Sequence, residues 1–298
     1  MFDLSIRSRG VRLSFASLVV CTVAVLSACG GGGGGSPAAV PAAVPAPVAL
    51  SVSAVTSAGP LSYGKLLTFD VTGTSLEQGV AVSAPGCTGL VEVANSTSTQ
   101  KRYTCTLSAA GNLLVDVKSS TGSNLFSTLL AVPDPQVTLV TSAGTMVLEL
   151  NPANAPLSVN NFLKYTNDGF YSNLIFHRVI STFVIQAGGF SSGLVPKATT
   201  YAPIKLESAN GLKNLRGTLA MARTSAADSA TSQFYLNLAD NPALDYASAS
   251  QPGYAVFGKV IQGLPVMDAI RVVPTGARGG ITDVPVADVT ILSATQTR

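Results

Sequence analysis

Two periodicities alternate along the chain. Short runs such as residues 66–71 (LLTFDV) and 113–117 (LLVDV) alternate apolar and polar positions between Gly, Ser, Pro and Asn, which predicts strands. Such runs recur between residues 48 and 132 with regular turn signals, the pattern of a small antiparallel β-sandwich. Further on, residues 136–141 and 145–150 flank Ser142-Ala143-Gly144 as a hairpin. Pro156 then opens a helical spacing of Val159, Phe162, Leu163 and Thr166, and Gly169 closes it. A second short helix is expected over residues 265–272, with strand and loop elsewhere.

One apolar, β-branched run breaks its own pattern. Residues 176–189 read FHRVISTFVIQAGG, with Arg178 and Gln186 set among Val, Ile and Phe. A charge in such surroundings is costly unless it is paired or performs a task. No nucleophile, metal-ligand cluster or carboxylate pair lies nearby in sequence. Chemistry here would have to work by aiming hydrogen-bond donors at an apolar substrate. His177, the single histidine, has no Asp, Ser or Cys partner close by, and alternation turns it away from Arg178, so a structural role is expected. Asp228 and Asp245 read as loop and turn residues, and Gly188-Gly189 is too short a signal for a phosphate loop.

The N-terminus has a different character. A basic segment over residues 7–12 precedes an apolar run over residues 13–26, too short to span a bilayer. The run ends at Leu26-Ser27-Ala28-Cys29, which resembles a bacterial lipobox. That resemblance implies export, lipidation of Cys29 as the new N-terminus, and attachment to a membrane of the cell envelope facing the periplasm. Gly30 stands where inner-membrane lipoproteins often carry Asp, which favours the outer membrane. Residues 30–47, Gly-rich and then Pro/Ala-rich, form a tether of up to about 60 Å. Loss of three arginines and Asp3 with the leader takes the net charge from +3 to +1. No basic stripe with interleaved aromatics remains, so nucleic acid is not an expected partner.

Cys21 leaves with the leader and Cys29 takes lipid, so Cys87 and Cys105 remain to form a disulfide in an oxidising compartment. Tyr103, two residues before Cys105, has the spacing of the tyrosine corner of immunoglobulin-like sandwiches. The closeness of the two cysteines and the lack of Trp do not fit that fold, and the topology stays open. The region carries no catalytic constellation; it acts as a spacer or as a binding surface for partners or clients. Pro133-Asp134-Pro135 marks a boundary. The expected organisation is a signal segment (1–29), a tether (30–47), a β-sandwich (48–132) and a larger C-terminal domain (136–298).

Several blocks of the C-terminal region occur in a telling order: Phe176-His177-Arg178, Ile185 to Gly189, Met221-Ala222-Arg223-Thr224, Asp228 to Phe234, and Gly253 to Val260. Together they resemble the cyclophilin-type peptidyl-prolyl cis–trans isomerases, in particular the short bacterial periplasmic form. The resemblance implies a mainly β fold: a closed eight-stranded antiparallel barrel capped by two helices, with the site on one outer face. It implies Arg178 and Gln186 as catalytic residues, and a proline pocket from Phe183, Val184, Tyr235, Leu244 and Tyr254. Ala222, Arg223 and Thr224 would run beside the substrate and offer backbone groups, with Gln233 sharing the groove. Strand alternation independently sets Gln233 and Tyr235 on one face. No cofactor and no metal are implied; the partners would be proline-containing peptides and unfolded exported proteins, met by a monomer. The alternative is a chaperone module that holds proline segments with little or no turnover.

The chain departs from the family at several positions. Ser181-Thr182 replaces the usual Pro-Gly, Ala187 the first glycine after the glutamine, and Val184 a common methionine. Ala243 stands where relatives have Trp or Phe, which predicts weak binding of the cyclic peptide cyclosporin.

Overall fold

A computed structural model describes residues 46–298. The signal segment, Cys29 and the tether up to residue 45 lie outside the described residues. Residues from Pro47 to Arg298 form one compact unit that contains two large hydrophobic cores and a smaller cluster of Val184, Ala220, Tyr235 and Val256.

The first core lies between two antiparallel sheets. Their strands are β1 (Ser51–Ser57), β2 (Leu66–Thr74), β3 (Val80–Ser83), β4 (Cys87–Glu92), β5 (Gln100–Leu107), β6 (Gly111–Ser119) and β7 (Asn124–Val132). The orders are β1-β2-β5-β4 and β3-β6-β7. Alternation does the sorting: Leu67, Phe69 and Val71 of β2 and Leu113, Val115 and Val117 of β6 point inward and are buried. Cys87 and Cys105 are disulfide-bonded with their Cα atoms 5.5 Å apart, joining β4 to β5 within one sheet. Tyr103 lies on β5, stacks on Phe69 at 5.6 Å and donates its hydroxyl to Glu92 Oε2 at 3.2 Å. It therefore braces β4 against β5 through a side chain and makes no backbone corner.

The second core is larger. Its elements are β8 (Gln136–Thr141), β9 (Gly144–Leu150), α1 (Pro156–Asn167), β10 (Leu174–Ile175), β11 (Arg178–Val179), β12 (Val184–Ala187), β13 (Phe190–Ser191), β14 (Val195–Pro196), β15 (Thr218–Met221), β16 (Phe234–Asn237), β17 (Val256–Gln262), α2 (Leu264–Arg271), β18 (Thr275–Arg278), β19 (Ile281–Pro285) and β20 (Thr290–Gln296). Ala155 gives α1 no side-chain cap, and Glu207 supplies one from a distant loop. Its carboxylate accepts from the N–H groups of Leu157 and Ser158 and from Ser158 Oγ at 2.7–2.9 Å. Val159, Phe162, Leu163 and Thr166 all face inward as their spacing predicts. The Phe162 ring packs among Tyr171, Phe234 and Phe257 at 5.1–5.4 Å.

The expected closed eight-stranded barrel is corrected to a curled, open sheet. Its order runs β11-β12-β16-β15-β17-β9-β8-β20-β10-β13-β14, and no ladder joins its two ends. The cause lies at Phe176 and His177, which separate β10 from β11. The Phe176 N–H turns aside to Val289 O at 2.9 Å, so β10 pairs with β20 while β11 pairs with β12. The end strand β11 is joined to β10 here by the chain and not by a ladder.

The sandwich and the curled sheet meet at Tyr63. Its side chain is fully buried and belongs to the second core, although it lies between β1 and β2. Its hydroxyl donates to Asn160 Oδ1 on α1 at 2.8 Å, and its carbonyl accepts from Gln296 Nε2 at 2.8 Å.

Candidate active site

The site starts from a tight hairpin. β11 and β12 are joined by residues 180–183, where the Phe183 N–H donates to Ile180 O at 2.9 Å and the Ile180 N–H to Val184 O at 3.0 Å. Ser181 and Thr182 occupy the exposed corners of this turn, away from the groove. The Phe183 carbonyl is held by Leu238 N–H at 2.9 Å and Asn241 Nδ2 at 3.0 Å, which fixes where its ring returns. That ring lies 5.9 Å from the Arg178 guanidinium.

Register builds the rest. Arg178 lies opposite Gln186, Gln186 opposite Tyr235, Tyr235 opposite Ala220, and Ala220 opposite Val256. Residues opposite one another in an antiparallel ladder share a face, so one cross-strand row carries all five. The next row holds Ala187 opposite Phe234, both buried in the main core. Ala187 therefore fills core and does not line the groove.

Hydrogen bonds order the polar end of the row. Arg178 Nη1 donates to Gln186 Oε1 at 3.4 Å, and Gln186 Nε2 donates to Gln233 Oε1 at 2.9 Å. Gly189 makes room for this relay, since a Cβ there would come within 2.6 Å of Gln233 Nε2. At the apolar end Tyr235 donates to Asn214 Oδ1 at 2.8 Å, and burial raises its pKa, so it remains a donor. Asn214 is itself held by Asp245 Oδ1, through its N–H at 2.7 Å and its Nδ2 at 3.1 Å. Neither Asn214 nor Asn241 stands out in the sequence; the one signal for Asn214 is its place in the polar pair Lys213-Asn214 between Leu212 and Leu215.

A cavity of about 140 Å³ opens over this row. Phe183, Val184, Tyr235, Leu244 and Tyr254 form its apolar walls, with Ala222 beside them, and Arg178, Gln186 and Arg223 its polar edge. A second depression of about 130 Å³ shares Gln186, Ala222 and Arg223 and adds Thr224 and Gln233. The residues expected for catalysis and substrate binding thus all line one continuous groove.

The backbone of residues 222–224 is less available than expected. The Ala222 N–H already donates to Gln233 O at 3.0 Å, and the Thr224 N–H to Ser229 Oγ at 3.0 Å. The Arg223 guanidinium is also engaged: it donates to Gly253 O at 2.7 and 3.0 Å and lies 4.6 Å from the Tyr254 ring. Arg178, held by one long bond, is the arginine left facing the cavity.

A larger cavity of about 270 Å³ lies between Glu149, Leu150, Lys213 and Lys259. Its lysines are paired, Lys259 with Glu149 at 3.5 Å and Lys213 with Asp245 at 3.6 Å. The chemistry favours the smaller cavity. His177 is buried against Phe190 at 4.7 Å between ring centroids, and its pKa is pushed down to about 4, chiefly by burial. It is neutral at neutral pH and turned away from the groove, as alternation predicts.

Residues 136–296 match the model of the family described as cyclophilin type peptidyl-prolyl cis-trans isomerase/CLD. The chain belongs to the cyclophilin family. Its cyclophilin region is 52% identical over 164 residues to peptidyl-prolyl cis-trans isomerase A of Dickeya dadantii, covering 55% of this chain and 85% of that protein. It is 52% identical over 163 residues to a peptidyl-prolyl cis-trans isomerase of Acinetobacter baylyi, covering 55% and 86%. Identity to peptidyl-prolyl cis-trans isomerase B of Escherichia coli is 51% over 161 residues, covering 53% and 98%. Each of these matches covers little more than half of this chain.

Proposed function

We infer that the protein is a peptidyl-prolyl cis–trans isomerase whose catalytic donor is Arg178. The observation that carries this is the placement of the Arg178 guanidinium at the edge of an apolar cavity of proline size, beside Phe183. Rotation about an X–Pro bond breaks amide resonance, a barrier of about 18–20 kcal/mol. In the twisted transition state the proline nitrogen becomes pyramidal and regains its lone pair. A donor aimed at that lone pair favours the transition state over the planar ground state. Arginine suits the task because it donates at every working pH. Gln186 steadies Arg178 and offers hydrogen bonds to the substrate backbone, while Phe183, Val184, Tyr235, Leu244 and Tyr254 seat the ring. Ala222, Arg223, Thr224 and Gln233 form the wall beside the peptide. The reaction transfers no proton and needs no cofactor.

The test is isomerisation of a proline peptide by the parent chain beside Arg178→Ala. A fall on the order of a hundredfold in kcat/KM is expected for loss of a transition-state donor. An unchanged rate would overturn the mechanism.

The clients are exported proteins, and the chain acts as a monomer anchored through lipid on Cys29, facing the periplasm from the outer membrane. The lipobox-like Leu26-Ser27-Ala28-Cys29 and the Cys87–Cys105 disulfide support that placement. Lipid label incorporated by the parent and lost in Cys29→Ser is the expected result. The sandwich is immunoglobulin-like in this reading; the strand orders β1-β2-β5-β4 and β3-β6-β7 match the constant-type arrangement.

A further inference from the structure

A third depression adjoins the proline cavity and has no task in the mechanism above. Its volume is about 480 Å³, against about 140 Å³ for the proline cavity. The two share Arg223 and Tyr254 as a common wall. Its remaining surface is small and mostly apolar, contributed by Pro242, Ala243, Ala247 and Pro252, with Gln251 at the rim.

Its charges are already satisfied. Asp245 accepts from Asn214 twice and pairs with Lys213 at 3.6 Å. Arg223 is committed to Gly253 O and stacks on Tyr254. An ionic ligand would meet no unpaired countercharge there, whereas a flat uncharged ring would meet two prolines and two methyl groups.

The walls are also pre-formed. The Tyr254 N–H donates to Leu244 O at 2.9 Å and the Ala247 N–H to Gln251 O at 3.1 Å, while Ser208 Oγ donates to Pro252 O. Gly253 has φ +60°, and a Cβ there would lie 2.5 Å from the Asp245 carbonyl carbon, so only glycine allows the segment to close. Little ordering entropy remains to oppose binding.

We propose that this depression is a subsite for an aromatic side chain of the substrate, one or two residues away from the proline in the adjacent cavity. The inference deepens the reading of that cavity as the proline site and rests on it. At about 3.3–3.6 Å per extended residue, one or two residues bridge neighbouring cavities that share a wall. The small residues Ala243 and Ala247 are what keep the space open.

The experiment is a set of peptides with one proline and otherwise alanine. Phenylalanine is placed in turn at the two positions before and the two after the proline. One placement should raise kcat/KM about tenfold over the all-alanine peptide, the discrimination expected of an apolar pocket. Ala243→Phe, and separately Ala247→Phe, fill the space from within and should each reduce that preference to about twofold or less. A flat response to placement in the parent, or a preference that survives both variants, overturns the proposal. Failure of the parent to isomerise any of the peptides overturns instead the reading of the adjacent cavity as the proline site.

Discussion

Arg178 and Gln186 are register partners across β11 and β12, and their side chains meet at 3.4 Å. A bond of that length tethers the guanidinium without consuming it. Gln186 is more firmly held on its other side, by Gln233 at 2.9 Å, so the arginine is oriented by a fixed neighbour and keeps donors for the substrate.

Removing that neighbour should therefore lower the rate by less than removing the arginine. Gln186→Leu keeps the bulk and loses the relay. A hydrogen bond to a charged group contributes about 1.5–3 kcal/mol, and the long Arg178 contact places this one at the lower end. The expected result is roughly a tenfold fall in kcat/KM, and Gln233→Leu should produce a smaller fall in the same direction. Equal rates for parent and Gln186→Leu would remove Gln186 from the site.

Ala243 bears on inhibition as well as on substrate choice. It is exposed and lines the depression beside the proline cavity, where the family resemblance leads one to expect an aromatic ring. A cyclic peptide that uses that ring loses the contact here, so cyclosporin should inhibit peptide isomerisation weakly. Submicromolar inhibition would contradict this, and Ala243→Trp should strengthen inhibition if the missing ring is the cause.

Local pattern and long-range register contribute differently to this site. The apolar run around Arg178 and Gln186 is visible in the sequence because a charge and an amide interrupt β-branched residues. The inward face of α1 is visible for a similar reason, a 3.6-residue spacing from Val159 to Thr166. That Ala220 and Val256 extend the Arg178–Gln186–Tyr235 row depends on pairing two further strands, β15 and β17, in register, which no local window encodes. Asn214 escapes notice because its partners, Tyr235 and Asp245, are 21 and 31 residues away. The open sheet has the same origin: Phe176 bonds to Val289 and so leaves the ladder, a long-range choice inside a run that reads as continuous strand.

Tyr63 links the two cores. It leaves the sandwich to be fully buried in the other core, with its hydroxyl on Asn160. Tyr63→Ala would empty that position, at a cost of about 3 kcal/mol or more for a large buried ring. Calorimetry of the parent should show a single coupled transition, and the variant two, with the sandwich separating from the cyclophilin region. A single transition at unchanged Tm in the variant would show that the contact does not couple them.

His177 sets an acid limit on stability. Burial is the main cause of its lowered pKa, the nearby Arg178 charge adds to it, and an interaction with the Ile175 backbone opposes it. The folded value is about 4 against about 6.5 for an unperturbed imidazole, and its Nδ1 has no hydrogen-bond partner. Above about pH 6.5 the imidazole is neutral in both folded and unfolded chains, and its burial carries no protonation penalty. As pH falls from 6.5 towards 4, the unfolded chain takes up the proton first, so stability declines across that window. The full loss is roughly 3 kcal/mol, from about 1.4 kcal/mol for each tenfold change in proton affinity. Asp70 and Glu92, whose pKa values are lowered by Arg102 and Lys101, act in a different range, because their stabilisation is lost only as pH falls below the ordinary carboxylate values. Urea unfolding of the parent between pH 7 and pH 4 should trace the decline, and His177→Phe, which keeps a ring against Phe190, should flatten it. A parent whose stability is constant from pH 6.5 to pH 4.5 would show that His177 is solvated in the folded protein.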